Sequence, residues 1–223
     1  MRWVFRLERK LGRNFGISNL MIYVTATMLA VYVLDFIGVT GLFGFMFFFR
    51  PLVLAGEVWR IVTFILIPPF GQNPIWAILG FYVAYHIGTS LEYAWGKTLF
   101  NLYFLFGVLG AIIAAFITGI GFNSYLFLSM LLAYCYLNPN ATFLLFFILP
   151  IKAKYIAIFN WALYIWLFIS IDSFSSRLAL IFSLINFFLF FGPEVWKTIK
   201  RNYNTVRRRR KYQKNWDGNN PWR

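Results

Sequence analysis

The sequence predicts an all-α membrane protein: a bundle of six transmembrane helices with a long interfacial loop between the first two. Three observations carry that expectation. Of 223 residues, 61% are hydrophobic and 22% aromatic, and only 13% are charged, whereas soluble chains average about 25% charged. The apolar residues come in long blocks rather than amphipathic stripes. The formal charge of +14 gathers at the two ends: of 21 basic residues, five are Arg2, Arg6, Arg9, Lys10 and Arg13, and ten lie from Lys197 onward.

The chain divides into a basic amphipathic segment 1–17, a membrane domain 18–193 and a polybasic tail 194–223. A spanning helix needs about 20 apolar residues, and the segments that meet this are 18–39, 75–95, 98–120, 121–137, 155–172 and 176–193. The first is too long for the apolar core of a cleaved leader, and no clear A-x-A site comes after it. With both termini cytoplasmic, Lys97, Lys152 and Lys154 also lie inside, and only Arg50, Arg60 and Arg177 lie outside. That asymmetry is what the positive-inside rule requires, and it fixes an even number of spans. Compact length and the lack of sorting signals point to a bacterial plasma membrane. A single Cys135 excludes an intrachain disulfide, and one His with one Cys excludes a Cys/His zinc cluster, so no metal or cofactor is expected.

The loop 40–74 is too apolar to float in water, since Phe43, Phe45, Met46, Phe47, Phe48 and Phe49 run into Arg50-Pro51. It is expected to lie in the interface, its rings in acyl chains and Arg50, Glu57 and Arg60 in the polar layer. Phe143 to Leu149, closed by Pro150, is too short to cross and reads as a cytoplasmic connector. At the N-terminus, Trp3, Val4, Leu7 and Leu11 recur at helical spacing among basic residues, as in a helix lying on a membrane. The tail carries Arg207, Arg208, Arg209, Arg210 and Lys211, a site for anionic headgroups at about 1 kcal/mol per basic residue. Nucleic acid is the weaker reading of the same charges.

Residues 56–103 contain Gly56-Glu57-Val58-Trp59-Arg60, then Leu91-Glu92-Tyr93-Ala94-Trp95-Gly96-Lys97, then Phe100-Asn101-Leu102-Tyr103. A Trp-Arg pair in the loop after the first span, a Glu-x-x-x-Gly closing the second and an aromatic start to the third resemble the rhomboid superfamily. Asn138-Pro139-Asn140 and the run to Lys154 resemble its connector before span five, so the likeness covers about 100 residues. Read physically, Arg60 and Glu92 are among the few charges near apolar sequence, and burial would demand a partner for each. Arg60 is expected to bind loop carbonyls, and Glu92 to cap backbone N–H groups near Gly96.

Rhomboid proteases are intramembrane serine hydrolases, and the resemblance implies a Gly-x-Ser-Gly turn on span four and a His on span six. Here the corresponding turn reads Phe122-Asn123-Ser124-Tyr125, and its aromatic flanks obstruct approach to an oxyanion. Span six has no His, and Arg177, Ala179, Ser183 and Asn186 offer no base near pH 7. The polar pair usual on span two falls on Trp76 and Gly80. His86, the one histidine, lies about 16 Å below the outer start of span two by helix rise. It reads first as a structural hydrogen-bonding residue, while Ser124 or the deeper Ser129 with His86 forms the one displaced dyad available. Gly96-Lys97-Thr98 lacks the upstream glycine of a phosphate loop, where Leu91 stands.

Span three places Gly107 against Ala111 and Gly110 against Ala114 at a spacing of four, which permits close helix approach. Span two carries a polar flank of Tyr82, Tyr85, His86, Thr89 and Ser90, which faces either the bundle or an opening, and the first four of these are the client-facing candidates. The resemblance therefore implies an inactive rhomboid-like protein, similar in kind to derlins. Such a fold is expected to bind transmembrane or misfolded clients laterally and to perturb the bilayer, with a partner ATPase or protease supplying energy. A homo-oligomer is a further expected association. The alternatives are an active protease using the displaced dyad and a structural or lipid-handling subunit.

Overall fold

A computed structural model describes residues 12, 15–38, 41–68, 73–145, 149–170, 177, 180–182, 184–192, 200 and 205. Helices dominate: α1 (Leu20–Phe36), three short helices α2 (Leu42–Met46), α3 (Arg50–Leu54) and α4 (Arg60–Thr63), then α5 (Pro74–Trp95), α6 (Lys97–Thr118), α7 (Ser124–Leu137) and α8 (Ala153–Ser170). A last helix, α9, is described over 180–182 and 184–192. The amphipathic N-terminal residues up to Leu11 and the basic run Arg207 to Lys211 lie outside the described residues.

Each long helix starts and stops for a local reason. Asn73 caps α5 by accepting from the Ile75 N–H at 3.0 Å, and Pro74 occupies the first helical position, where no donor is needed. Gly96, at φ 81°, turns α5 directly into α6, a conformation that side chains with a Cβ resist. Gly119, at φ 87°, closes α6 while its N–H donates to Ala115 O at 2.8 Å.

Two helices among the described residues, α6 and α8, are by themselves long and apolar enough to cross a membrane. The others expected to span fall short for separate reasons. α1 has 17 residues and α7 has 14, and the described stretch of α9 is shorter than a span as well. α5 has 22 residues, but Tyr82, Tyr85, His86, Thr89, Ser90 and Glu92 dilute its apolar character.

α5 is the hub, packing against α1, α6 and α7, while α8 packs on α7. Gly88 lets α1 come close, because a Cβ there would collide with Met21. Gly107 does the same for α7 and α9, whose Leu126 and Asn186 stand where its Cβ would be. The centre holds Met21, Met28, Leu91, Phe100, Tyr103 and Met130, with Trp95, Phe187, Phe190 and Phe191 clustered at the Gly96 end.

The structure corrects the sequence reading at two places in this frame. The connector read between spans four and five contains a two-stranded antiparallel hairpin, β1 (Thr142–Leu145) with β2 (Leu149–Lys152), pairing Thr142 with Lys152 and Phe143 with Ile151. Two short strands satisfy each other's backbone where seven apolar residues could not complete a span. Residues 41–68 also do more than rest their rings among lipids. Phe48 and Phe64 are buried in the core and Arg60 is 5% exposed, so this segment docks on the bundle as a strap of short helices, and Arg60 points inward.

Candidate functional site

The strap is held at the end of the bundle that contains Gly119. Arg60 donates through a terminal guanidinium nitrogen to the carbonyls of Gly44 at 2.6 Å and Phe47 at 2.7 Å, and through Nε to Glu57 at 2.6 Å. A charged fork with three acceptors offsets the cost of its burial. Trp59 stacks on Phe45 with centroids 5.1 Å apart and donates to the Phe45 carbonyl at 3.3 Å. Asn123 then pins the strap to the α6–α7 turn, its amide donating to Ile65 O at 2.9 Å and Ile67 O at 2.5 Å. Arg50 adds a bond to Phe116 O at 3.1 Å.

At the Gly96 end the chain before α1 is latched to the α5–α6 corner. Asn101 both accepts from the Ile17 N–H at 3.0 Å and donates to the Ile17 carbonyl at 2.9 Å, and Thr98 donates to Phe15 O at 3.0 Å. Glu92 accepts from the Asn19 N–H at 2.6 Å, just ahead of α1. This corrects the role expected of it: Glu92 does not cap N–H groups near Gly96. Helical side chains lean toward the helix N-terminus, so a residue one turn before the end points away from the turn at Gly96. Its other oxygen, Oε2, is buried and has no hydrogen-bond partner.

The client-facing candidates separate. Tyr82 and Tyr85 are exposed, and Thr89 donates back to the Tyr85 carbonyl at 2.8 Å. His86 sits among rings: it stacks on Tyr82 with centroids 6.0 Å apart, meets Phe143 of β1 edge-on and lies 3.4 Å from the Tyr134 hydroxyl through Nε2. Tyr85 and Thr89 instead line an open cleft of about 820 Å³ at the Gly96 end, together with Glu92, Lys97, Tyr134 and Asn138.

The two serines also separate. Ser129 is buried and shares a 2.6 Å hydrogen bond with the Tyr103 hydroxyl of α6. Ser124 opens α7 and lines an apolar groove of about 250 Å³ with Val83 and Ile87 of α5 and Phe127 and Leu131 of α7. Among the described residues no hydrogen bond joins His86 to either serine. Of the packing residues, Gly107, Gly110, Ala111 and Ala114 all line one narrow pocket facing Leu126, Ser129, Phe182 and Asn186, so the small face of α6 meets α7 and α9. Among the described residues no group of three or more potential metal ligands occurs.

The sequence reading assigned no packing or bonding role to Asn101, Asn123, Tyr134 and Asn186. Their one common signal is a neutral polar side chain in a strongly apolar neighbourhood, where an unmet hydrogen bond is costly. No family model matches the chain, and comparison with curated proteins and with solved structures gives no match.

Proposed function

We propose that the chain is a six-span membrane protein of rhomboid-like type, without protease activity, that binds transmembrane or misfolded clients from the side and eases their passage through a locally perturbed bilayer. α1, α5, α6, α7, α8 and α9 are the spans, the Gly96 end faces the cytoplasm and the strap 41–68 faces out. Directed movement of a client falls to a partner ATPase or protease, because nothing in the sequence resembles a nucleotide-binding loop.

The observation that carries the reading is the mismatch of lengths around α5. At 1.5 Å per residue, the 14 residues of α7 reach about 21 Å, against about 30 Å of hydrocarbon. Beside it, α5 carries a polar flank with exposed Tyr82 and Tyr85. A short helix next to a polar flank draws headgroups and water inward and thins the bilayer there. The inactive assignment rests on the serines: the hydroxyl partner of Ser129 is a tyrosine, and Ser124 faces an apolar groove, so neither has a base beside it.

Two measurements test the proposal together. A photo-crosslinker at Tyr82 in native membranes should capture transmembrane proteins, and capture should persist in Ser124→Ala and Ser129→Ala. A fluorophosphonate probe should leave the purified protein unlabelled. Labelling that disappears in His86→Ala and in one of the serine variants would replace this reading with the displaced-dyad protease.

A further inference from the structure

The cleft at the Gly96 end has a charge pattern that the client-binding reading does not use. It lies at the corner where α5 ends and α6 begins, with Tyr93 and Ala94 of α5 and Lys97 of α6 in its lining. Glu92 lies in the last turn of α5 and Lys97 is the first residue of α6. Both line the cleft, and among the described residues no ion pair joins them. Glu92 spends one oxygen on the Asn19 N–H and leaves the other without a partner. Around them stand Tyr85, Tyr134, Ser90 and Asn138, which supply ring faces and neutral hydrogen-bonding groups.

We propose that this cleft holds the headgroup of a zwitterionic phospholipid bearing a primary ammonium group. The phosphate lies on the Lys97 amine, and the ammonium lies toward Glu92, the last turn of α5 and the tyrosine rings. One anionic and one cationic side chain suit a ligand that carries both charges, whereas a purely anionic headgroup would place its charge beside Glu92. The Glu92 charge favours a cation nearby, and the Ser90 hydroxyl and the Asn138 amide oxygen accept N–H bonds, which a primary ammonium donates and a quaternary one cannot. The volume, about 820 Å³, lies within the range of small-molecule sites. The inference rests on the membrane reading and is independent of client binding.

Native mass spectrometry of the full chain, released from detergent with equal amounts of phosphatidylethanolamine, phosphatidylcholine and phosphatidylglycerol of identical acyl chains, tests it. Phosphatidylethanolamine should be retained about tenfold over either rival. Lys97→Gln should abolish that retention, and Glu92→Gln should remove the discrimination against phosphatidylglycerol. Because Glu92 also latches Asn19, Tyr85→Leu serves where the Glu92 variant does not fold, and it should weaken phosphatidylethanolamine binding without raising phosphatidylglycerol. Equal retention of the three lipids, preference for either rival, or a Lys97→Gln variant that behaves as the parent would overturn the site while leaving the membrane reading intact. Recovery of the chain in a carbonate wash without detergent would overturn both.

Discussion

The strap at the Gly119 end and the latch at the Gly96 end solve one problem in opposite ways. Each fixes a segment outside the long helices with ionic and neutral side chains: Arg60, Glu57, Arg50 and Asn123 at the strap, Glu92, Thr98 and Asn101 at the latch. At the strap, Arg60 is 5% exposed and meets Glu57 and two carbonyls. At the latch, Glu92 meets one N–H and leaves Oε2 without a partner beside an open cleft. The difference teaches that a buried charge is met by a closed set of partners at the strap, while the latch holds an acid through a single bond.

The largest expected effect is at the strap. Arg60→Ala removes three charged hydrogen bonds from a buried position and should lower stability in detergent by about 3 kcal/mol, read as a fall in melting temperature. Arg60→Lys should recover only part of it, because an ammonium cannot reproduce the guanidinium fork. An unchanged melting temperature in both would mean that the strap is not docked. Asn123→Ala comes next, at about 2 kcal/mol for two lost bonds and the carbonyls left bare, and it should raise protease sensitivity within 41–68.

At the latch the effects are smaller. Glu92→Ala should cost about 1.5 kcal/mol, whereas Glu92→Gln should cost little, since an amide oxygen still accepts from Asn19. A Glu92→Gln variant as damaged as Glu92→Ala would show that the latch needs its charge, and the contrast with Arg60 would collapse. Back at the strap, Trp59→Ala is the mildest of the alanine variants at about 1 kcal/mol, because the ring is 39% exposed and its indole bond is long at 3.3 Å.

Much of the helical frame was legible in the sequence because long apolar blocks interrupted by Gly96, Gly119 and Asn73-Pro74 leave few other readings. The scarcity of charge drew attention to Arg60 and Glu92, but their partners differ in how far they can be foreseen. Arg60 reaches carbonyls 13 and 16 residues away in the same loop, whereas Glu92 reaches Asn19 across 73 residues. Asn123 stands at the start of α7, yet it makes no side-chain capping bond and gives its amide to the strap. Gly88 carries no motif, and only the approach of Met21 reveals why a side chain is excluded. The hairpin 142–152 was hidden because apolar residues before a proline look alike in a half-span and a strand.

The strap also has a consequence for how the chain is made. Its ties to the rest of the bundle run from Arg50 to Phe116 and from Ile65 and Ile67 to Asn123, spanning 66, 58 and 56 residues. A ribosome delivers residues 41–68 well before any of those partners exists, so until α6 has formed and turned back through Gly119 this aromatic segment packs only on itself and on α1. Nascent chains arrested before about Asn123 should therefore be the most vulnerable to degradation, and completion of one turn should end that vulnerability at a single step of elongation.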